Sequence, residues 1–321
     1  MSIVRWLMAV CSSALLALNP VQAQGYPSKP IRFIIPFAPG GATDIMARLV
    51  GQKLTEAWGQ PVLVESKPGA NGIIAAEAAA KAAADGHTIM LAVLSTHATN
   101  VSLYNKLPYD PVRDFTPVVL MAYTPLVLVV PTASPLKSVK DIVDAARAKP
   151  GALNFSAGTA TIHLTGELFK SATGTDIVAV PYKGTVPGLT AVMSGEVAFT
   201  FEPTVTAVPQ VKGGRVRALA VTSPQRSPLL PDVPTGQEAG LPSFEAYSWL
   251  GIVMPAGVAT EVAAKMQNEV LRILDTPEVK EKMAAMGLDP LPMNAERFAA
   301  FMKAETDKWA RAIKASGMKI E

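Results

Sequence analysis

Short runs of β-branched and apolar residues alternate along this chain with longer stretches in which apolar positions recur every three or four residues. The first run, IRFIIPF (31–37), breaks at Ala38-Pro39-Gly40-Gly41. After it Ile45, Met46, Leu49, Val50, Leu54 and Trp58 mark one face of a helix. PVLVE (61–65) is a second strand. The Ala-rich stretch from Ile73 to Ala84 is a strong helix former that stops at Asp85-Gly86. TIMLAVL (88–94) is a third strand, apolar almost throughout. Strands apolar on both faces and separated by helices predict a parallel sheet covered on both sides.

The alternation resumes with PLVLVV (125–130), followed by a helix that opens on the capping box Ser138-x-x-Asp141. LNFSAG (153–158), a helix through Leu164, Leu168 and Phe169, VAVPY (178–182), VAFTFEP (197–203) and RALAVTS (217–223) continue the series. A Pro-rich return passage (227–242), the strand WLGIVMP (249–255) and helices over Glu261–Asp275, Glu278–Met286 and Ala295–Ser316 complete it. This order predicts an α/β fold of two lobes with mostly parallel sheets. Lobe 1 takes residues 24–125 and 225–321, and lobe 2 takes 126–224. The chain crosses between them near Thr124–Val130 and again near Val221–Pro228, which makes a hinged cleft.

Composition adds bounds to this picture. With 49% hydrophobic and 17% charged residues over 321, the chain is neither disordered nor fibrous. Its net charge of +3 is spread thinly and its aromatics are few, so nothing predicts a nucleic-acid partner. At the start, Arg5, an apolar stretch from Leu7 to Leu18 and the small-residue site Val21-Gln22-Ala23 read as a cleavable signal peptide over residues 1–23. Twelve apolar residues are too few to span a bilayer of about 30 Å. Export follows. Cys11, the only cysteine, lies in that segment behind Val10, a poor fit to a lipoprotein site, so the mature chain has no disulfide or thiol chemistry.

The chemistry sits where strands hand over to helices. In PFAPGGATD (36–44) glycines let the backbone approach a ligand, and the opening amides of the helix that follows favour an anion. NFSAGTATIH (154–163) and VPYKGTVPG (180–188) repeat the design. Each loop also has a plainer reading as a tight turn, with Thr43 or Asp44 as a helix cap and Lys183 as either a charge partner or a solvated lysine. No dinucleotide or phosphate-loop fingerprint occurs, so no cofactor is expected. His87, His97 and His163 lack metal-ligand spacing, so no metal is expected either. No G-x-S-x-G elbow frames Ser156 as a nucleophile, which leaves a spatial pairing of Asp44 with His97 as the remaining acid–base candidate.

The string YPSKPIRFIIPFAPGGATDIMAR resembles the tripartite tricarboxylate transporter solute receptors, also called Bug receptors. So do E-x-K-P-G-A-N-G (65–72), G-T-A-T-I-H-L-x-G-E-L-F (158–169), V-P-Y-K-G (180–184), AVTS-x-x-R (220–226) and W-x-G-h-h-h-P-A-G (249–257). The resemblance runs through essentially the whole mature chain. It implies a periplasmic binding protein of the Venus flytrap, type II-like kind that captures a small organic acid. Such a receptor is a monomer, not an enzyme, and hands its ligand to a two-subunit membrane permease. Carried onto matching positions, the resemblance points to Ala38, Gly41, Ala42, Thr43 and Asp44 from lobe 1. Lobe 2 supplies Ser156, Gly158, Thr159 and His163, and Thr96-His97, Lys183-Gly184 and Glu202-Pro203 border the cleft. A periplasmic enzyme acting on a small carboxylate and a ligand-loaded sensory module are the competing readings of the same lobes.

Overall fold

The structure is a computed structural model that describes residues 25–242 and 244–316; the expected signal segment 1–23, with Cys11, lies outside the described residues. Strand β1 (Ile31–Ile35) leads through a tight loop into helix α1 (Ala42–Trp58). That helix ends at Gly59 in the left-handed conformation, whose N–H donates to Thr55 O. Then follow β2 (Val62–Ser66), α2 (Ile73–Ala80) and β3 (Thr88–Val93). A π turn over Ser95–Thr99 runs directly into the short helix α3 (Asn100–Leu103). β1 lies between β2 and β3, parallel to both, as the apolar runs predict.

Strand β4 (Phe115–Pro131) is 17 residues long. The sequence pattern predicts only its second half, because Pro117 and Pro125 interrupt the run. Beyond it lie α4 (Val139–Ala148), β5 (Asn154–Ala157), α5 (Ala160–Thr173), β6 (Val178–Pro181), α6 (Thr185–Met193), β7 (Thr200–Pro203), α7 (Thr204–Lys212) and β8 (Val216–Val221). The return strand is β9 (Tyr247–Pro255), followed by α8 (Thr260–Asp275), α9 (Pro277–Ala285), β10 (Asp289–Met293) and α10 (Ala295–Ser316). The first half of β4 pairs with β9 and β10, and the second half with β7 and β8. All these pairings are antiparallel, and so is β3 with β9. The sheet is therefore mixed, where the sequence predicts mostly parallel strands. The cause is that β4 carries the chain outward and β9 carries it back alongside.

Alternation along the strands sorts the side chains between faces. Ile31, Phe33 and Ile35 join one core with Met46, Leu54, Ile252 and Val270, while Ile34 joins another with Met90, Trp249, Val253 and Phe298. β4 repeats the device further along. Leu126, Leu128 and Val130 pack with Phe155, Phe169, Phe199 and Phe201, whereas Val127 and Val129 pack with Val192, Val208 and Val221. The Pro-rich return passage is expected with lobe 1, but Leu230, Leu241 and Phe244 pack into these latter cores instead. Residues 126–221 had left apolar surface there, and the passage covers it.

Candidate functional site

Four helix N-termini meet at one place. The loop after β1 brings in α1 through Gly41, an extended N-cap with no side chain bonded to the helix amides. α5 begins after Thr159, whose Oγ1 accepts from Ile162 N–H at 3.3 Å. α6 begins after Gly184, also without a side-chain cap, and α7 begins after Pro203. Ala42, Thr43, Thr159, Thr161, Ile162, Thr185 and Pro203 line the pocket they share. Its floor is the β4–β9 ribbon at the paired residues Thr124 and Ser248, and Phe37, Val93, Leu126 and Leu250 supply apolar wall.

No lysine, arginine or carboxylate lines this pocket among the described residues. Its polar character comes from threonine and serine hydroxyls and from helix-opening amides, which carry the positive ends of the helix dipoles. Such a lining suits the carboxylate of a small acid, because it supplies donors without a buried counter-charge. The closed pocket is small, about 30 Å³. A multi-carbon acid would fit there only with the loops parted.

Glycines permit the loops to close this tightly. A Cβ on Gly158 would stand 2.3 Å from Gly184 O, and one on Gly41 would stand 3.0 Å from Thr185 Oγ1. Gly184 itself has φ +126 and approaches the backbone N of half-buried Ala38, with 3.7 Å left for a Cβ. Here the sequence motif has a geometric reason: three backbones share a space that side chains would fill.

The remaining expected residues are placed differently. Asp44 is buried but faces back into its own loop, where Oδ2 accepts from Gly40 N–H at 2.9 Å and Oδ1 forms an ion pair with Arg48 Nε at 2.8 Å. It holds the loop in shape and is not paired with His97. His97 is 2% exposed, with Nδ1 at 2.8 Å from Thr96 Oγ1 and its ring 4.7 Å from that of Phe115. Burial pushes its pKa down to about 3, so it stays neutral. Thr96 Oγ1 is meanwhile engaged with the backbone of Val93. The one acid–base candidate left open by the sequence does not form, because each partner is taken up locally.

Ser156 Oγ lies beneath α6, where a Cβ on Gly188 would stand 2.1 Å away. His163 sits one turn into α5 with Nε2 3.8 Å from Glu167 Oε1. Its pKa is lowered, mainly by burial. Lys183 points to solvent, outside the pocket lining. Glu202, on β7, is 1% exposed and accepts a hydrogen bond from Thr206 Oγ1. Burial pushes its pKa up to about 8, so it is held largely as the neutral acid at pH 7. The pocket thus gathers Ala42, Thr43 and Thr159 directly, with Gly41, Gly158, Gly184 and Ala38 in the loop backbones around them.

Sequence reasoning missed Thr161, Ile162 and Thr185, although they stand inside the flagged loops. It also missed Thr124 and Ser248, whereas Pro203, expected at the cleft border, does line the pocket. Thr124 and Ser248 lie where β4 and β9 cross the cleft, and the crossing near Thr124 was the available signal.

Comparison with known proteins gives the fold and the family. The family model described as "Tripartite tricarboxylate transporter family receptor" (TctC) matches residues 46–318. Protein BugT of Bordetella pertussis is 35% identical over 305 residues, 94% of each chain. A solved structure of a Rhodopseudomonas palustris protein, "R. palustris Rpa4515 with adipate", is 35% identical with a TM-score of 0.89, covering 92% of this chain and 99% of that one. MatC from Rhodopseudomonas palustris, with bound malate, is 32% identical with a TM-score of 0.82, covering 90% and 100%. The two-lobe binding-protein architecture is shared with these structures, and the matched family is one of receptors. The chain belongs to the tripartite tricarboxylate transporter receptor family, the Bug receptors.

Proposed function

We propose that this protein is a periplasmic receptor that captures a small dicarboxylate between two lobes and delivers it to a two-subunit permease of the tripartite tricarboxylate type. The observation that carries the binding reading is the convergence of four helix N-termini on one pocket without a charged side chain. One carboxylate of the ligand bridges the amides of α1, α5 and α6, and Thr43, Thr159 and Thr185 supply hydroxyl donors. The lobes are residues 24–125 with the helices after β9 on one side, and 126–224 with the return passage on the other. Export rests on the sequence of the segment 1–23, a monomeric state and hand-over to the permease are inferences from the family, and the adipate and malate bound by the relatives guide the choice of ligand.

Only contacts made to both lobes at once shift the balance toward closure. The test is calorimetric titration of the purified mature chain with adipate, malate and a tricarboxylate, followed by recovery of the ligand. Saturable binding with chemically unaltered ligand is the expected result. A changed product would support a periplasmic enzyme instead. Substituting Gly41→Asp places a carboxylate where the α1 amides face the pocket, and it should abolish binding; retained affinity would overturn the loop assignment.

A further inference from the structure

The β4–β9 ribbon that floors the pocket has a second face. Thr124 and Ser248 face the anion pocket, whereas the neighbouring Tyr123, Pro125 and Tyr247 line a separate cavity behind the hinge. By the same measure of open space it has about 680 Å³, against about 30 Å³ in the pocket. Its walls come from both core groups: Tyr123, Tyr247, Leu288 and Asp289 on one side, and the segment 223–229 on the other.

We propose that this hinge-side cavity is a second binding site, for a small organic ammonium ion, and that its occupation favours closure of the lobes over the acid. The rings of Tyr123 and Tyr247 lie 5.8 Å apart at 34°, a paired aromatic surface. Asp289 stands directly opposite Tyr123 in the β10–β4 pairing, and its carboxylate has no ion-pair or hydrogen-bond partner among the described residues. A second carboxylate, Glu245, accepts from the Tyr247 hydroxyl at 3.4 Å. Burial, and after it the charge of Glu245, push the Tyr247 phenol up to about 12.

Arg226 is the cationic residue of this wall, and its charge is already engaged. Its Nε bonds to Glu238 Oε2 at 2.9 Å and its Nη1 to Pro231 O at 3.0 Å. The rest of the lining is largely proline and aliphatic, including Pro224, Pro228 and Leu229. Such a surface cannot replace the water shell of a small inorganic cation. An alkylated ammonium suits it, because its charge is held by aromatic faces and a carboxylate while its carbon atoms meet apolar wall.

The coupling follows from the placement of the two spaces on opposite faces of one ribbon. When the lobes part at the pocket by turning about that ribbon, their far sides approach. A filled hinge cavity resists this approach, so cation and acid bind each other's preferred state and raise each other's affinity equally.

The test uses the mature chain and tetramethylammonium chloride as the probe, with sodium chloride at equal ionic strength as the control. A saturable change in intrinsic fluorescence on adding the probe without any acid is expected. The Asp289→Asn variant, altered at an exposed position and so correctly folded, should bind the probe at least fivefold more weakly. With the probe saturating, the affinity for adipate should rise at least threefold in the wild type and not in Asp289→Asn. Absence of saturation, or equal affinity in the variant, would overturn the site. Binding of the probe without any change in acid affinity would overturn the coupling. The first titration contains no acid, so a failure to bind adipate leaves its outcome intact.

Discussion

Two buried ionisable side chains set opposing pH dependences. Glu202 has a folded pKa of about 8, above the ordinary carboxyl value of 4.5. From pH 4.5 upward the unfolded chain has released this proton and the folded chain has kept it. Stability therefore falls with rising pH, at up to about 1.4 kcal/mol per unit, until about pH 8. His97 has a folded pKa of about 3, below the ordinary 6.5, so the unfolded chain binds the extra proton and stability rises from pH 3 to 6.5. The two slopes cancel between about 4.5 and 6.5, and Glu202 acts alone from 6.5 to 8. Chemical denaturation at pH 6.5 and pH 8 should show the wild type losing stability and Glu202→Gln holding level. At Gly158 the effect is on binding: Gly158→Ala puts a methyl 2.3 Å from Gly184 O and wedges two loops apart. Acid affinity should drop at least tenfold, about 1.4 kcal/mol, in a calorimetric titration.

Among the elements, the helix starts have the most direct consequences. Thr159→Ala removes the acceptor for Ile162 N–H and should lower unfolding free energy by about 1 kcal/mol in urea titration. It should also weaken acid binding, because the same hydroxyl lines the pocket. These starts were legible in the sequence: glycine and threonine at the ends of apolar runs mark them, and three of the four were placed that way. The fourth, at Pro203–Thr204, was hidden because Glu202-Pro203 reads as a strand end and a border of the cleft. The strands of the parallel part were equally plain, since Ile31–Ile35, Val62–Ser66 and Thr88–Val93 are compact runs between helices. The first half of β4 was not. Pro117 and Pro125 mask a strand whose pairing is decided by β9, more than a hundred residues away. β10, with Pro290 and Pro292 in five residues, is held at the sheet edge by β4 and carries almost no strand signal of its own. Of the pocket residues at that crossing, Thr124 had the predicted lobe crossing as its signal, while Ser248, just before the predicted strand 249–255, had none.

For the whole molecule, an acid that binds both lobes adds its binding free energy to the folded state. Adipate or malate at about 100 times its dissociation constant should add about 2.7 kcal/mol and raise the thermal midpoint by several degrees. A scan against a panel of acids at fixed protein concentration checks this, and the ranking of shifts gives the order of preference. One feature of the fold bears on the shape of that transition. β4 is a single strand that serves as the sheet partner of β9 and β10 at one end and of β7 and β8 at the other. Neither set of cores can melt and leave the other its sheet, since each would take the shared strand with it. Unfolding should therefore be cooperative across the whole molecule, with calorimetric and van't Hoff enthalpies equal. The amides of residues 119–130 should exchange with solvent only through global opening. The hinge would then be the most protected part of the protein rather than the most labile, bending as a twisted ribbon while its hydrogen bonds stay closed.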